Sequence, residues 1–387
     1  MRDPLRVVIA GGGVAALEAL VGLKTLAEDR VASVVIAATD AFVYRPLELG
    51  EPFGRGAPRR YPLSELCAPL GAELHIGMVR DVDPAQRVVR TAGGAEFAYD
   101  VLLLATGAHA DPAFEHAVSF DREHDAADFD ELLGDLDEGL APHVAIVVPD
   151  GVAWSLPAYE VALLTVAWAE ERGLDDTRVS VVTHEAAPLD VFGARASAEV
   201  LAALERAGVD LHTGVHPDVV SPGALRIGGH WMEADRIVSL PVAHGPRLEG
   251  IPRDVHGFIP VDARSRVVGL ADVYAAGDGT TTPIRQGGLA AQQAAVAAAH
   301  IAATAGADVQ PQPLRPVLRG LLPTSHGPLF LRAELDDPDG TSTAADAPLW
   351  WPPSKISTRF LAPHLARLEA EQRWREAERT GALTPDR

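Results

Sequence analysis

The feature that most restricts the fold is a short N-terminal passage. Six mostly apolar residues, Leu5 to Ala10, run into Gly11-Gly12-Gly13, and a helical pattern opens at Val14. Such a strand must be covered on both faces, as in a parallel sheet flanked by helices. A second apolar run, Val34 to Ala38, follows the helix. Strand, glycine turn, helix and strand make one βαβ unit. The spacing Gly11-x-Gly13-x-x-Ala16 divides three duties. Gly11 makes the tight turn, Gly13 lets backbone approach a pyrophosphate, and Ala16 lets the helix pack closely on the strand. The helix start then offers free N–H groups and the positive end of its dipole to phosphates. An acid for the adenosine ribose is expected at the end of the second strand. Ala37-Ala38-Thr39 stands there, and the nearest acid is Asp40.

At 387 residues the chain exceeds one compact core, so two domains and a smaller remainder are expected. The net charge of −21 repels phosphate backbones and argues against nucleic acid as a partner. No stretch approaches the roughly 20 uncharged apolar residues of a membrane-spanning helix. No signal-peptide pattern precedes the first strand, which makes the cytoplasm the expected location. Cys67 is the only cysteine. It rules out an intramolecular disulfide, a CxxC pair and a thiolate metal cage, and no metal site is expected.

A second α/β unit begins at His143. Val144 to Val148 and Val179 to Thr183 are predicted strands, and Pro157 to Glu171 a helix between them. Ser197 to Ala207 is a further helix, followed by short strands at Leu211 to Thr213 and Ile237 to Leu240. Phe97 to Ala105 is predicted as one strand ending in Thr106-Gly107. A long Ala-rich helix covers about 288–305, and 306–315 reads as a linker. The remaining tail holds a strand candidate (Leu329 to Ala333), a Pro/Trp stretch and a charged helix near 363–379.

Three more segments accompany the glycine fingerprint: Ala105-Thr106-Gly107-Ala108, Val273-Tyr274-Ala275-Ala276-Gly277-Asp278, and Gln286-Gly287-Gly288-Leu289-Ala290-x-x-Gln293. In this order and at these distances the set resembles the FAD domain of the two-dinucleotide-binding flavoprotein superfamily, the pyridine nucleotide-disulfide oxidoreductase-like proteins. Phe42-Val43-Tyr44-Arg45-Pro46-Leu47 and Pro157-Ala158-Tyr159-Glu160 look like the branch of sulfide:quinone oxidoreductases, flavocytochrome c sulfide dehydrogenases and type II NADH dehydrogenases. The resemblance implies FAD as cofactor. It places the Asp278 carboxylate on the ribityl and pyrophosphate region, Thr106 and Gly107 beside the cofactor, and Arg45 near the flavin, where a structural ion pair is the other reading of Arg45. Gly277, Gln286 and Gly288 belong to the same set, the helix after them being directed at the flavin, where its dipole stabilises the reduced anion. Glu160 is placed near the flavin face as the catalytic candidate; His109, Tyr159, His184 and His244 are available, but nothing selects among them.

Two departures redirect the function. Sulfide oxidation by this branch needs paired redox thiols, and Cys67 has no partner; it is expected to be a buried small hydrophobe. The second unit, where a pyridine nucleotide would sit, reads Val148-Pro149-Asp150-Gly151-Val152-Ala153-Trp154-Ser155-Leu156-Pro157 in place of GxGxxG. Asp150 opposes a pyrophosphate, and Trp154 and Pro157 crowd the helix entry, so NAD(P)H is disfavoured. Gly151 survives, and Glu185 at the next strand end is placed for a ribose diol, favouring NADH over NADPH. In the tail, Trp350, Trp351, Phe360 and Leu361 stand among Lys355 and Arg359, which suits a membrane interface or quinone entry; the other reading is a lid or dimer contact. From Trp350 to Arg387 there are seven Lys/Arg and five Asp/Glu, so this segment is about +2.

The expected architecture is α/β with two Rossmann-like FAD/NAD(P)-binding domains, the second inserted into the first: 1–112 and 240–310 for FAD, 113–239 for the degenerate NAD(P)-type domain, and 311–387 as an interface tail. The expected function is an FAD-dependent oxidoreductase without a dithiol, taking a small-molecule electron donor and acceptor, with a quinone as acceptor. A soluble NADH-dependent flavin reductase and a non-catalytic FAD-binding protein stay open. The sequence does not fix the oligomeric state.

Overall fold

The computed structural model describes residues 3–119, 125–336 and 341–380. Two five-stranded parallel sheets organise them. The first runs in the order Val273–Ala275, Val101–Leu104, Leu5–Ala10, Val31–Ala37, Glu73–Ile76. Its centre is buried on both faces. Val7 and Ile9 join one apolar cluster with the helices Val14–Ala27 and Gly287–Thr304. Val8 and Ala10 join another, with Val82, Val89 and Tyr99 around a three-stranded meander, Val79–Asp83, Val88–Thr91 and Glu96–Ala98. This two-sided cover is why the strand is apolar along its length.

The second sheet runs in the order Val118–Ser119, Arg236–Ser239, His143–Val148, Arg178–Thr183, Asp210–His212. Helices Leu156–Glu170 and Ala194–Arg206 pack on one face through Val161, Leu164 and Val200, and the small meander from Pro217 to Glu233 packs on the other. A two-stranded antiparallel ribbon, His109–Asp111 against Val242–His244, joins the two units. The fold is thus α/β with two Rossmann-like cores.

The passage Phe97 to Ala105, expected as one strand, is two. Glu96–Ala98 ends the meander, and Val101–Leu104 enters the parallel sheet. Tyr99 and Asp100 turn the chain between them: the Asp100 amide donates to the Arg6 carbonyl, and the Asp100 carboxylate accepts from the Arg6 amide at 2.8 Å. Strand Glu73–Ile76 was not expected, being short and polar at its first and third positions.

The tail folds back on both units. A three-stranded sheet, Val317–Thr324, Gly327–Glu334 and Thr343–Ala345, packs against the second. There a Cβ on Gly320 would come within 2.7 Å of Leu156. Helix Leu361–Thr380 lies on helix Val14–Ala27, with Leu361 and Leu365 inside the first unit's core. Its start is capped by a residue 341 positions before Arg359. The Glu18 carboxylate, fully buried, accepts from the amides of Arg359, Phe360 and Leu361 at 2.6–3.1 Å. The tail's aromatic cluster divides: Leu361 is core, Trp350 is half-buried, donates to the Ser354 carbonyl and packs edge-on against Phe330, Phe360 is half-buried, and Trp351 stays 85% exposed. The chain's end, 381–387 with Arg387, lies outside the described residues. Among the described residues no helix is long and apolar enough to cross a membrane.

Candidate active site

The glycine turn has the form its spacing predicts. Gly11 takes φ 141°, and its amide donates to the Ile36 carbonyl at 2.8 Å. A Cβ there would stand 2.1 Å from the Ala105 oxygen, so no other residue fits. Gly13 is the opposite case, with nothing within 4 Å of a Cβ position. The helix it begins has no side-chain cap and no acid in its first turn. Its leading amides are thus available to an anion. Ala16, 1% exposed, sits in the cluster behind them. Thr106 Oγ1 is buried with no hydrogen-bond partner, and Gly107 takes φ 73°. Gly277, at φ 88°, donates to Gln293 Oε1 at 2.7 Å, and Asp278 after it is half-buried. An open Gly13, uncapped amides and an orphaned hydroxyl fit a bound dinucleotide.

Four expected residues also make structural contacts. Asp40 is exposed, and its carbonyl accepts from the Leu63 amide. Gln286 caps the Ala-rich helix: its Oε1 accepts from the Leu289 amide at 2.8 Å, and its Nε2 donates to the Arg319 carbonyl at 3.2 Å. A Cβ on Gly288 would come within 2.8 Å of that Oε1, so the glycine serves the cap. Arg45 pairs with Glu48 at 3.3 Å.

A cavity of about 820 Å³ opens between the two units and the tail sheet. Leu49, Trp154, Leu156, Leu240, Leu321 and Ile356 give it apolar walls, and the start of helix Gly287–Thr304 borders it. Glu160 and Lys355 form an ion pair in its wall, with side chains only 4% and 17% exposed. Burial pushes the Glu160 carboxyl up, and the Lys355 ammonium pulls it partly back. Lys355, one of two lysines in the chain, was read from the sequence only as an interfacial cation. Three hundred residues of separation from the first motif hid its place.

The nucleotide groups of the second unit are turned inward. Glu185 accepts from Ser155 Oγ at 2.7 Å, Tyr159 OH at 2.6 Å and Thr183 Oγ1 at 3.2 Å. Burial raises its carboxyl above the ordinary range, against those hydrogen bonds. Gly151, at φ 81°, lines the cavity together with Val152 to Trp154. Asp150 is exposed and bonded to His216 at 2.8 Å. Of the remaining candidates, His109 is exposed, His244 lies 3.5 Å from Asp111, and His184 Nδ1 is buried without a partner. Cys67 is 1% exposed, and burial raises its thiol.

Residues 5–300 match the family model of the pyridine nucleotide-disulphide oxidoreductases. The chain belongs to that family. It is an FAD-dependent oxidoreductase of the pyridine nucleotide-disulphide oxidoreductase type, although its single cysteine leaves the disulphide of the family's name without a counterpart here. An NADH dehydrogenase-like protein of Mycobacterium tuberculosis is 29% identical over 295 residues, which is 70% of this chain and 72% of that protein. The sulfide:quinone oxidoreductase of the hyperthermophilic bacterium Aquifex aeolicus superposes with a TM-score of 0.79 at 20% identity, covering 88% of this chain and 87% of that one. NDH2 of Plasmodium falciparum in complex with NADH gives 0.59 at 14% identity, with 72% and 65% covered. At these identities the solved structures establish a shared fold. They are the branch that Phe42–Leu47 and Pro157–Glu160 had suggested.

Proposed function

We propose that this family member passes an electron pair from its reduced flavin to a quinone-type acceptor held in the cavity between the two units. The observation that carries the reading is the buried Glu160–Lys355 pair in the cavity wall, beside the apolar side chains of Leu156, Leu321 and Ile356. Reduction of a quinone to a hydroquinone consumes two electrons and two protons. The bound FAD supplies two-electron storage and transfer. Glu160, paired with Lys355 but with its proton affinity raised by burial, can take up a proton and pass it on at the cavity wall. Lys355, donating to Glu160 Oε1, fixes the carboxyl's orientation and offers a second donor to a developing oxyanion.

In this reading 1–112 and 240–310 form the FAD domain, 113–239 the inserted NAD(P)-type domain, and 311–387 the interface tail. Gly11, Gly13 and Ala16 seat the pyrophosphate, with Thr106, Gly107, Gly277 and Asp278 beside it. Arg45 and the Gly288 helix start flank the flavin, and Gln286 acts through its cap. The protein works from the cytoplasm and reaches the membrane's quinone through the tail, where Trp351 is exposed. The NADH-reductase reading has a relative's name in its favour. Against it, the Glu185 carboxylate is already taken by three hydroxyls.

The test is anaerobic and spectroscopic. The FAD-loaded protein is photoreduced, then mixed with 2-methyl-1,4-naphthoquinone; separately, the oxidised protein is mixed with NADH. Return of the flavin band with quinone, and no bleaching by NADH, is the expected pair of results. Rapid bleaching by NADH together with no reoxidation by quinone overturns the proposal.

A further inference from the structure

The cavity's charges run against those of the chain. The whole protein carries −21, yet the cavity is lined by five cations (Arg45, Arg60, Arg285, Arg319, Lys355) and four acids (Glu48, Glu51, Asp130, Glu160). Two of the cations are accounted for: Arg45 pairs with Glu48 and Lys355 with Glu160. Arg319 is not. Among the described residues its guanidinium makes no hydrogen bond and no ion pair, and its Nε is buried without an acceptor. Arg285 Nε is also buried without one, although Arg285 Nη1 donates to the Pro283 carbonyl at 3.2 Å and its guanidinium stacks 3.9 Å over Phe258. The two meet one end of the cavity, since Gln286, next to Arg285, donates to the Arg319 carbonyl.

A half-buried guanidinium without an acceptor is costly. An unmet buried donor loses its hydration without a replacement, and a charged one loses more. Burial and the nearby Arg332 both disfavour the charged form of Arg319. With 54 Asp and Glu available, a neighbouring carboxylate would be easy to supply. Strand Val317–Thr324 instead sets Arg319 beside Leu321 on the cavity wall, with Leu318 and Leu322 turned into the core. A planar fork of donors in that position matches a carboxylate or sulfonate.

We infer that the cavity takes an organic anion, its apolar ring or chain seated among Trp154, Leu156, Leu240 and Leu321 and its acidic group held by Arg319. The inference rests on the acceptor reading above only in naming the redox partner, which is then a quinone bearing an acidic group. Binding can be judged on its own.

The measurement is calorimetric titration of the FAD-loaded full chain with 2-naphthoate and with the neutral 2-naphthalenemethanol. The naphthoate is expected to bind at least about tenfold more tightly, equivalent to about 1.4 kcal/mol. In Arg319→Gln the preference falls to near unity, and Arg319→Lys keeps part of it, because the charge remains while the fork is lost. Equal binding of the two probes to the unaltered protein overturns the inference, as does an undiminished preference in a correctly folded Arg319→Gln; the unaltered protein decides if that variant fails to fold. Reoxidation of the photoreduced protein by 1,4-naphthoquinone-2-sulfonate and by 2-methyl-1,4-naphthoquinone separates the two claims. If neither reoxidises it, the acceptor reading fails while anion binding stands. If both do so equally well and the naphthyl probes bind equally, the acceptor reading stands and the anion site fails.

Discussion

Breaking the Glu160–Lys355 pair tests whether the cavity wall holds a desolvated ion pair. With side chains 4% and 17% exposed, neither partner is freely solvated. Removing one member of such a pair costs about 3–5 kcal/mol, because the other charge keeps its desolvation and loses its compensation. The neighbouring cavity gives the survivor some access to water, so about 3 kcal/mol is expected for Glu160→Gln and somewhat less for Lys355→Met, in which the carboxyl can take up a proton. Replacing both leaves no buried charge and is expected to fall within about 1 kcal/mol of the unaltered protein. The coupling between the two sites is then about 4 kcal/mol. Several packed units need not unfold in one step, so a single melting midpoint is a poor assay. Hydrogen exchange of the amides around 353–362 reads the local opening free energy directly. Additivity of the two single losses within about 0.5 kcal/mol would refute the reasoning, since it would mean the groups do not interact. Glu160→Gln also removes the proton store, and the pH profile of quinone reduction is expected to lose one ionisation.

Gly13→Val is expected to leave the fold intact and abolish flavin retention, read as visible absorbance per protein; Gly11→Ala, whose Cβ would strike the Ala105 oxygen, is expected to lose the fold itself, read by circular dichroism. Glu18→Ala strips three amides of their acceptor and is expected to free the tail helix by about 3 kcal/mol, seen as faster proteolysis within 356–380 with the flavin spectrum kept. Glu185 has a raised carboxyl, so the folded state holds its proton more tightly than the unfolded chain does. Its contribution is present below the ordinary glutamate value and is lost as pH rises through the raised one. Glu185→Gln is therefore expected to flatten that part of the stability–pH curve, measured by denaturant titration. Cys67→Ala is expected to leave quinone turnover unchanged.

How much of this was legible in the sequence depended on how local each feature is. The Gly11 turn, the second glycine-aspartate segment and the Ala-rich helix are each set within about a dozen residues, and their spacing carries their geometry. The cavity assembles residues near 45–60, 151–160, 240, 285 and 319–321 with Lys355, and no periodicity connects these segments. Gln286 shows a second limit. Its motif suggested a cofactor contact, but a side chain at a helix start can satisfy the backbone first, and here it caps. Glu18 did leave a signal. It is the only acid in the apolar helix VAALEALVGLKTLA, and a charge there needs a partner; the sequence could not say that three tail amides provide it.

The second unit keeps a Rossmann-type core while several groups at its strand ends make contacts within the protein. A Rossmann-type domain binds nucleotide through an open glycine turn, a free helix start and an acid at the next strand end. Here the sheet and helix persist, because Val144, Ile146, Val161 and Leu164 form one core that also carries the tail sheet through Leu318 and Leu322. The acid, however, is engaged by hydroxyls of the protein and an aromatic ring walls the turn, while the helix start stays free. The turn from Gly151 to Trp154 walls the cavity, with the Trp154 ring tilted against Phe192 at 6.0 Å. Ser155 bonds Glu185 and leaves the helix start uncapped. Tyr159 spends its hydroxyl on the same carboxylate. Restoring glycines alone would therefore not restore a pyridine-nucleotide site, since the acid would remain engaged and the aromatic wall would remain in the way. The position of the same helix also sets Glu160 one residue after Tyr159, on the cavity side. The same helix thus carries Tyr159 to the Glu185 cluster and Glu160 to the cavity wall, so in the proposed function the engaged acid and the cavity's ion pair follow from a single packing arrangement.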